Sequence, residues 1–247
     1  MKKIKVGAVS YLNTKPLLYG IKQSEELMQQ IELETDYPSK IAEQLLKGEI
    51  DVGLVPVAVI PQMKEHYIVS DYCIGADGSV ASVGLFSEVE IDQIEKVLLD
   101  YQSKASVALC KVLFKNHWKK NVVFEDAGND FSKEIKAHTA AVLIGDRALR
   151  QRKISKYIYD LGREWKIMTG LPFVFAAWIS NKRLPVAFIK LFNEKNAEGL
   201  NNIDVVIAET PCDFYDLNVY YKQNISYVLN EKKMKGMHLF LDLMEKL

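Results

Sequence analysis

The 247-residue sequence lacks an excess of charge of either sign, because 32 lysines and arginines balance 32 aspartates and glutamates. A nucleic-acid-binding surface needs a basic excess gathered on one face, so we expect no nucleic-acid partner. No apolar run approaches the ~18 residues of a transmembrane helix, and we expect no membrane partner. The N-terminal segment also lacks the apolar region of a secretory signal. These absences favour a cytoplasmic protein.

Cysteine and histidine are scarce, with three and four residues. Cys73, Cys110 and Cys212 are widely spaced and odd in number, which matches neither a disulfide framework nor a zinc pattern. The histidines show no metal-ligand spacing either. The sequence also lacks a Gly-x-Ser-x-Gly elbow, a P-loop and a Gly-x-Gly-x-x-Gly fingerprint. We therefore expect no metal and no other cofactor.

Strand-like and helix-like segments alternate over the first part of the chain. Residues 4–9, 31–37 and 51–55 are β-rich, and a helix is expected between each pair. Thr14 is predicted to cap the first of these helices, with Pro16 in its first turn. The order strand, helix, strand, helix, strand predicts a parallel sheet with right-handed crossovers.

A second α/β series begins after residue 88, and helix formers dominate after Pro185, with breaks expected near Gly199 and Pro211. We predict a two-lobed α/β protein in which residues 1–88 and 180–247 form lobe one and residues 89–179 form lobe two. Two crossing segments would then act as a hinge, and the cleft between the lobes would hold a ligand. A single continuous domain is the alternative.

Polar segments follow several predicted strands, where ligands collect in open parallel sheets. In the first, 10–16, the Asn13 amide both donates and accepts, and the helix start attracts anions. Simple capping by Asn13 and Thr14 explains the same residues equally well. In the second, 78–84, Ser82 lies among small residues, although a buried strand with satisfied hydroxyls is the favoured interpretation from sequence alone.

Two more polar segments belong to the second series. Ser103 suits an N-cap of the helix 104–117, and the nearby Lys104 and Ser106 favour an anion site there. The turn at Thr169 and Gly170 is expected to face the ligand, in a segment otherwise rich in core aromatics. Asp146 is equally suited to a helix cap and to a ligand contact. No histidine lies in these segments, so an ordinary general base is missing.

Six segments resemble, in chain order, the chorismate dehydratase family of the futalosine route to menaquinone. They are Ser-Tyr-Leu-Asn-Thr-Lys-Pro-Leu at 10–17, Asp-Val-Gly-Leu-Val-Pro-Val-Ala at 51–58, Val-Ala-Ser-Val at 80–83, Ile-Gly-Asp-Arg-Ala-Leu at 144–149, Tyr-Asp-Leu-Gly at 159–162 with Trp165, and Thr-Gly-Leu-Pro-Phe-Val-Phe-Ala at 169–176. The likeness covers residues 4 to 185. It implies a type II periplasmic-binding-protein-like fold and loss of water from chorismate to give 3-[(1-carboxyvinyl)oxy]benzoate.

The resemblance also implies roles for single residues. Asn13 and Ser82 would lie next to the reacting ring as catalytic residues. The remaining matched positions would bind the substrate, with the helix start at 103–106 and the turn at 169–170 near its carboxylates: Ser10, Thr14, Ser103, Lys104, Ser106, Asp146, Thr169 and Gly170. Two departures concern these contacts, since the family's Ser-Arg-Thr-Ser is here Ser-Lys-Ala-Ser at 103–106, and its Gly-Pro is here Gly-Ser at 78–79.

Other functions on the same fold stay open at this point. A 1,4-dihydroxy-6-naphthoate synthase-like enzyme of the same pathway would carry a Cys/Ser-rich Asn-Asp segment where this chain has Tyr-Leu-Asn-Thr at 11–14. A non-catalytic binding protein for a small carboxylate would carry a signal peptide or a lipidation cysteine. A transcription-factor effector domain would follow a helix-turn-helix segment. The sequence does not indicate an oligomeric state.

Overall fold

The computed structural model describes residues 3–128 and 131–247 of the chain. Strands and helices alternate along its first two thirds, and helices dominate the remainder. The strands are β1 (Ile4–Val9), β2 (Ile31–Asp36), β3 (Val52–Pro56), β4 (Tyr67–Ala76), β5 (Val83–Ser87), β6 (Lys96–Leu99), β7 (Val123–Asp126), β8 (Thr139–Ile144), β9 (Tyr157–Asp160), β10 (Phe173–Ser180) and β11 (Ser226–Val228).

Helices cover both sheets and fill the C-terminal third. They are α1 (Lys15–Gln23), α2 (Glu25–Gln30), α3 (Pro38–Lys47), α4 (Lys104–Asn116), α5 (Gly145–Gln151), α6 (Leu161–Thr169), α7 (Val186–Asn201), α8 (Ile203–Ala208), α9 (Leu217–Val219) and α10 (Glu231–Met244). Over the described residues, none of these helices has the length and apolarity needed to cross a membrane.

The strands form two separate sheets. The first has the order β11-β4-β10-β3-β1-β2 and the second the order β7-β6-β8-β5-β9. In the first sheet β1 lies parallel to β2 and β3, as the alternation of strands and helices predicts. The same sheet is extended by antiparallel pairing of β10 with β3 and β4. Two sheets with their own helices agree with the predicted two-lobed α/β architecture.

The chain passes from the first sheet to the second and back again. The strands change sheet between Ala76 and Val83 and again between Asp160 and Phe173. The lobe boundaries predicted from the sequence, at 88 and 179, lie after these points, so β5 and β10 belong to the sheets opposite to the predicted lobes. The division into lobes 1–88 with 180–247 and 89–179 otherwise stays a prediction.

The backbones of helices α1 and α7 approach each other unusually closely at the start of α1. A Cβ atom on Gly199 would lie 1.9 Å from the carbonyl oxygen of Pro16, so only glycine permits this approach. The expected helix break near Gly199 is confirmed, since α7 ends at Asn201 and α8 begins at Ile203. Gly199 itself lies inside α7 and serves its packing against α1. The expected break near Pro211 is confirmed, because α8 ends at Ala208 and the next helix begins at Leu217.

Candidate active site

A cavity lies between the two sheets, where β1 and β3 end and where α3 and α4 begin. Its volume is about 40 Å³, far below the ~300–1,000 Å³ typical of small-molecule sites. The walls are therefore close together, and a ring-sized ligand fits only if they move apart. Residues of both sheets contribute to its wall, which places it in the predicted cleft. The lining residues are Val9, Tyr11, Asn13, Pro38, Pro56, Ile74, Val80, Ser82, Val83, Ser103, Ser106, Ile144, Gly145, Phe175 and Ala176.

The structure brings four of the residues named from the sequence into this one cavity: Asn13, Ser82, Ser103 and Ser106. They come from three separate segments, of which 13 and 103–106 stand at helix starts and 82 stands before β5. The other residues named from the sequence do not line the cavity: Ser10, Thr14, Lys104, Asp146, Thr169 and Gly170. The roles assigned to all of these residues stay predictions.

Asn13 is held in a 3₁₀ turn, Leu12–Thr14, between β1 and α1. Thr14 makes no side-chain capping bond, so its predicted role as an N-cap is wrong. Its fully buried hydroxyl instead donates to Asn13 Oδ1 at 3.2 Å. Tyr227 fixes the same turn by donating its hydroxyl to the backbone oxygen of Asn13 at 3.1 Å. With Oδ1 engaged, the Asn13 amide nitrogen is the group that can donate into the cavity.

Ser82 is presented by a strained turn rather than by a regular strand. Ala81 has a φ of +61°, and the Ser82 N–H donates to the Val80 oxygen at 2.7 Å, which together make a γ-turn of the rare positive-φ type. The Asp160 carboxylate accepts from the N–H groups of Val80 at 3.0 Å and Ala81 at 2.7 Å. Such strain persists where surrounding bonds over-determine it, and it is concentrated at functional sites.

The Ser82 hydroxyl is fully buried, but its contact with the Val80 oxygen is long, at 3.5 Å. The hydroxyl is thus hydrogen-bonded, although weakly, and Ser82 lies directly before β5 rather than within it. Burial raises the pKa of Asp160, and the N–H groups that bond to its carboxylate oppose this rise. The buried Asp160 carboxylate thus fixes the backbone of the turn, and Ser82 lines the cavity.

The start of α4 combines capping with a cavity-facing surface. Ser103 Oγ accepts from the Ser106 N–H at 3.3 Å and lies 2.9 Å from Ser106 Oγ, and both side chains are buried. Capping and an anion site were alternatives in the sequence, yet one arrangement accommodates both. Lys104 lines a groove on the surface of the second lobe together with Lys111 and Phe124.

None of the cavity-lining side chains within the described part of the chain carries a full charge. Attraction for an anion must then come from the dipoles of the helices that begin there, α3 and α4, and of α1 next to Asn13. Arg147, which lies near Tyr11, is engaged by Asp100 at 2.6 Å and by Gln102 at 2.8 Å. The site favours an apolar ring with small anionic groups at its ends.

Contacts between the two lobes close the cavity. The Tyr11 hydroxyl donates to Gln102 Oε1, and the Leu12 N–H donates to Asp146 Oδ1 at 3.3 Å. Asp146 therefore contacts the turn that carries Asn13. Gly145 permits this closure, because its φ is +60° and a Cβ atom there would lie 3.0 Å from the Tyr11 ring.

The other residues predicted to bind substrate are engaged locally. The Thr169 hydroxyl donates to the Trp165 oxygen at 2.8 Å and accepts from the Leu171 N–H at 3.1 Å. Gly170 ends α6 with a φ of +71°. Ser10 is exposed, and its N–H donates to the Asp36 oxygen. In this arrangement the turn at 169–170 ends a helix and does not line the cavity.

Several residues of the site were not singled out from the sequence. Tyr11 and Phe175 lay within segments that were recognised, but neither was assigned a role. Tyr227 lies beyond residue 185, where the resemblance ends, and no local pattern marks a tyrosine that reaches the start of α1 from β11. Such a contact depends on the whole fold and has no signal in a single sequence.

Comparison with known proteins identifies related sequences over almost the whole chain. The sequence model of a family described as menaquinone biosynthesis matches residues 4–246. A chorismate dehydratase of Thermus thermophilus is 25% identical, and the match covers 98% of this chain and 95% of the relative. A chorismate dehydratase of Campylobacter jejuni is 26% identical, with 95% of each protein covered.

Solved structures support the fold independently. A protein from Archaeoglobus fulgidus superposes with a TM-score of 0.75 at 14% identity, covering 99% of this chain and 97% of its own. A gene product of Candida albicans, described as having the generic periplasmic binding protein fold, gives a TM-score of 0.69 at 9% identity, with 100% and 91% covered. The predicted type II periplasmic-binding-protein-like fold is confirmed.

Proposed function

Since the chain belongs to the menaquinone biosynthesis family, we propose that it is a chorismate dehydratase, a hydro-lyase that converts chorismate to 3-[(1-carboxyvinyl)oxy]benzoate and water. The observation that carries this proposal is the near full-length match to two relatives of that activity. The cavity adds chemical support, because it joins Asn13 and Ser82 next to apolar walls and helix starts. The relatives' names do not favour a naphthoate synthase or a non-catalytic binding protein.

The reaction requires the protein mainly to position the substrate. The C3–H of chorismate is acidified by conjugation of the ring carboxylate through the neighbouring double bond. Its electron pair forms the new C3–C4 double bond as hydroxide leaves C4, and the proton and hydroxide together make the water released. Because the ring becomes aromatic, the elimination is strongly favoured. A site that orients the substrate, stabilises the departing group and excludes water is then sufficient.

The proton acceptor in this proposal is the enolpyruvyl carboxylate of the substrate itself. No histidine, aspartate or glutamate lines the cavity over the described residues, whereas the enolpyruvyl group is attached to the carbon that loses its proton. The Asn13 amide nitrogen and the Ser82 hydroxyl hold the ring and donate to the hydroxyl that leaves C4. The carboxylates lie against helix starts, including that at Ser103 and Ser106.

The proposal is tested by incubating the purified protein with chorismate and following the aromatic product by absorbance and mass. Ser82→Ala should lower kcat by about 10²-fold, the scale for loss of one donor to a developing oxyanion. Asn13→Asp keeps the shape of the side chain but loses the donor, and its kcat should fall by a similar factor. Ser79→Ala is the matched control, since Ser79 is exposed, lies three residues away and does not line the cavity.

Wild-type protein that leaves chorismate unchanged would contradict the proposed activity. Near-wild-type turnover by both Ser82→Ala and Asn13→Asp would contradict the assigned roles while leaving the activity in place. We also propose that the enzyme works in the cytoplasm, where chorismate is made. Cell fractionation with an antibody to the protein tests that location, and recovery in an extracytoplasmic fraction would oppose it.

A further inference from the structure

Tyr220 stands directly behind the candidate active site, in a part of the chain without any recognised motif. It begins a π-helical turn, Tyr220–Asn224, that follows α9. Its ring is fully buried and packs against Tyr215 and Tyr221, with ring centroids 5.9 and 5.5 Å apart. Single π-helical turns are rare and occur frequently at functional sites, because they displace one side chain from the regular helical register.

The Tyr220 hydroxyl is an unusual group for a buried position. It has no hydrogen-bond partner at full geometry among the described residues. A buried hydroxyl left without a partner costs free energy, and most such groups in native proteins are paired. Burial raises the pKa of Tyr220 far above its ordinary value, and the neighbouring Ser82 side chain opposes that rise. The phenol therefore stays protonated and can serve as a donor.

The Ser82 hydroxyl is also incompletely hydrogen-bonded. Among the described residues it makes only the long contact of 3.5 Å with the Val80 oxygen, so Oγ can accept a shorter bond. The π-helical turn and the Ser82 segment are also tied together at a second point, where Asn224 Nδ2 donates to the Ser79 oxygen at 3.2 Å. The two segments are thus held side by side, and the Ser82 side chain lies close enough to the Tyr220 hydroxyl to lower its pKa against the effect of burial.

On the basis of the proposed function, we infer that Tyr220 is a positioning residue for the dehydration. Its hydroxyl donates to Ser82 Oγ, and this bond turns the Ser82 proton into the cavity toward the hydroxyl that leaves C4. Tyr220 does not line the cavity and acts on the substrate only through Ser82. The relay runs from the Tyr220 O–H to Ser82 Oγ, and from the Ser82 O–H to the leaving oxygen.

Tyr220→Phe removes the donor and keeps the ring. We expect kcat for chorismate to fall about tenfold, the effect of one lost hydrogen bond in the transition state, while KM stays within twofold. The melting temperature should fall slightly, because one buried hydrogen bond is lost. A purely structural tyrosine would give a similar fall in melting temperature while kcat and KM stay within twofold of wild type.

Tyr221→Phe is the matched control. Tyr221 is the next residue, is equally buried and also has an unpaired hydroxyl within the described residues, yet Ser82 does not act on its pKa. Its kcat should stay within twofold of wild type. The second test places Tyr220→Phe in a Ser82→Ala background. If Tyr220 acts through Ser82, the second substitution should change kcat by less than twofold there.

Each outcome of these measurements decides between interpretations. A tenfold loss confined to Tyr220→Phe, and absent without Ser82, supports the relay. Wild-type kcat in Tyr220→Phe, an equal loss in Tyr221→Phe, or an undiminished loss in the Ser82→Ala background would each overturn it. If wild-type protein does not dehydrate chorismate, the proposed function fails and the inference fails with it. The three results that would overturn the relay leave the proposed function intact.

Discussion

The orientation of the Asn13 amide depends on a single neighbouring hydroxyl. Thr14 donates to Asn13 Oδ1 at 3.2 Å, and Thr14 is fully buried, so no water replaces that bond. An amide has two chemically different ends, and the bond decides which end faces the cavity. The donor role proposed for the Asn13 nitrogen therefore rests on Thr14 as much as on Asn13.

Thr14→Val tests this dependence, because valine keeps the shape of threonine and removes the hydroxyl. We expect kcat for chorismate to fall about three- to tenfold, since the amide is no longer held in one orientation. Stability should fall by about 1 kcal/mol, the net worth of one buried hydrogen bond. Steady-state kinetics and thermal unfolding measure the two effects.

Thr14→Ser restores the hydroxyl without the methyl group and should return kcat to within twofold of wild type. If valine and serine variants lose activity equally, the methyl packing of Thr14 matters and the hydroxyl does not. Unchanged turnover in Thr14→Val would show that the Asn13 amide is oriented by the substrate alone.

Single residues also show what the sequence can and cannot predict. The resemblance to the family marked Asn13 and Ser82, which the residues alone did not separate from local roles, whereas the helix start at Ser103 and Ser106 was favoured as an anion site from the sequence itself. The role of Thr14 was predicted wrongly, because a capping pattern does not distinguish a bond to the backbone from a bond to the next side chain. Packing around the residue determines which of these two bonds forms.

The contact between α1 and α7 is the element-scale feature on which the site depends. The Pro16 carbonyl, three residues after Asn13, lies where a Cβ atom on Gly199 would be. The two helices therefore touch through their backbones at the start of α1. A displacement of α7 would be transmitted to the turn that carries Asn13, because nothing compressible lies between them.

Gly199→Ala would place a methyl group 1.9 Å from the Pro16 oxygen. We expect the free energy of unfolding to fall by about 2 kcal/mol, since overpacking costs ~1–3 kcal/mol and outweighs the higher helix propensity of alanine. Turnover should fall as well, because α1 and the Asn13 turn must shift. Urea unfolding and steady-state kinetics on the same preparation measure both.

Gly128→Ala is the control, because a Cβ atom at Gly128 meets nothing within 4 Å and its backbone is not left-handed. It should change stability by less than 0.5 kcal/mol, as surface substitutions generally do. If Gly199→Ala proves as stable and active as Gly128→Ala, the approach of α7 to α1 is looser than the structure indicates.

The elements themselves were predicted well where hydrophobic period and turn residues agree. The strand, helix and strand order from β1 to β3 was found because Pro38 and Gly48 mark both ends of α3. Strand β11 was missed, because three residues are too few for a period to be visible and it pairs with a strand about 150 residues earlier. The packing role of Gly199 was missed as well, since the need for glycine there comes from a distant helix.

At the scale of the whole molecule, the structure represents a closed form of the two lobes. Tyr11 bonds to Gln102, Leu12 bonds to Asp146, and the Ser39 N–H donates to the Gln102 oxygen at 3.2 Å. Each of these bonds joins the first sheet's connections to those of the second. We expect that a substrate enters when these bonds separate, which would couple binding to lobe closure.

Asp146 makes this closure sensitive to pH. Burial raises its pKa above the ordinary value, while the bond from the Leu12 N–H and the charges of Arg150 and Lys15 oppose the rise. A carboxylate whose pKa is raised on folding makes the folded state less stable as pH increases from the unfolded value of 3.8 through the raised folded value. Asp146→Asn keeps an oxygen for the Leu12 N–H and removes the titration. We expect its melting temperature to exceed that of wild type at pH 7.

The gain should shrink as the pH is lowered toward 4, because a growing fraction of wild-type Asp146 is then protonated and carries a neutral side chain like that of the variant. Thermal unfolding followed by circular dichroism from pH 4 to pH 7.5 measures the difference. Asp242→Asn, at an exposed position in α10, serves as the control for the loss of one negative charge. A gain for Asp146→Asn that grows on acidification would reverse the sign argued here, and would mean that the carboxylate is favoured in the closed form by Arg150 and Lys15. Because Asp146 meets Leu12 only when the lobes meet, the pH dependence of stability reports on closure itself.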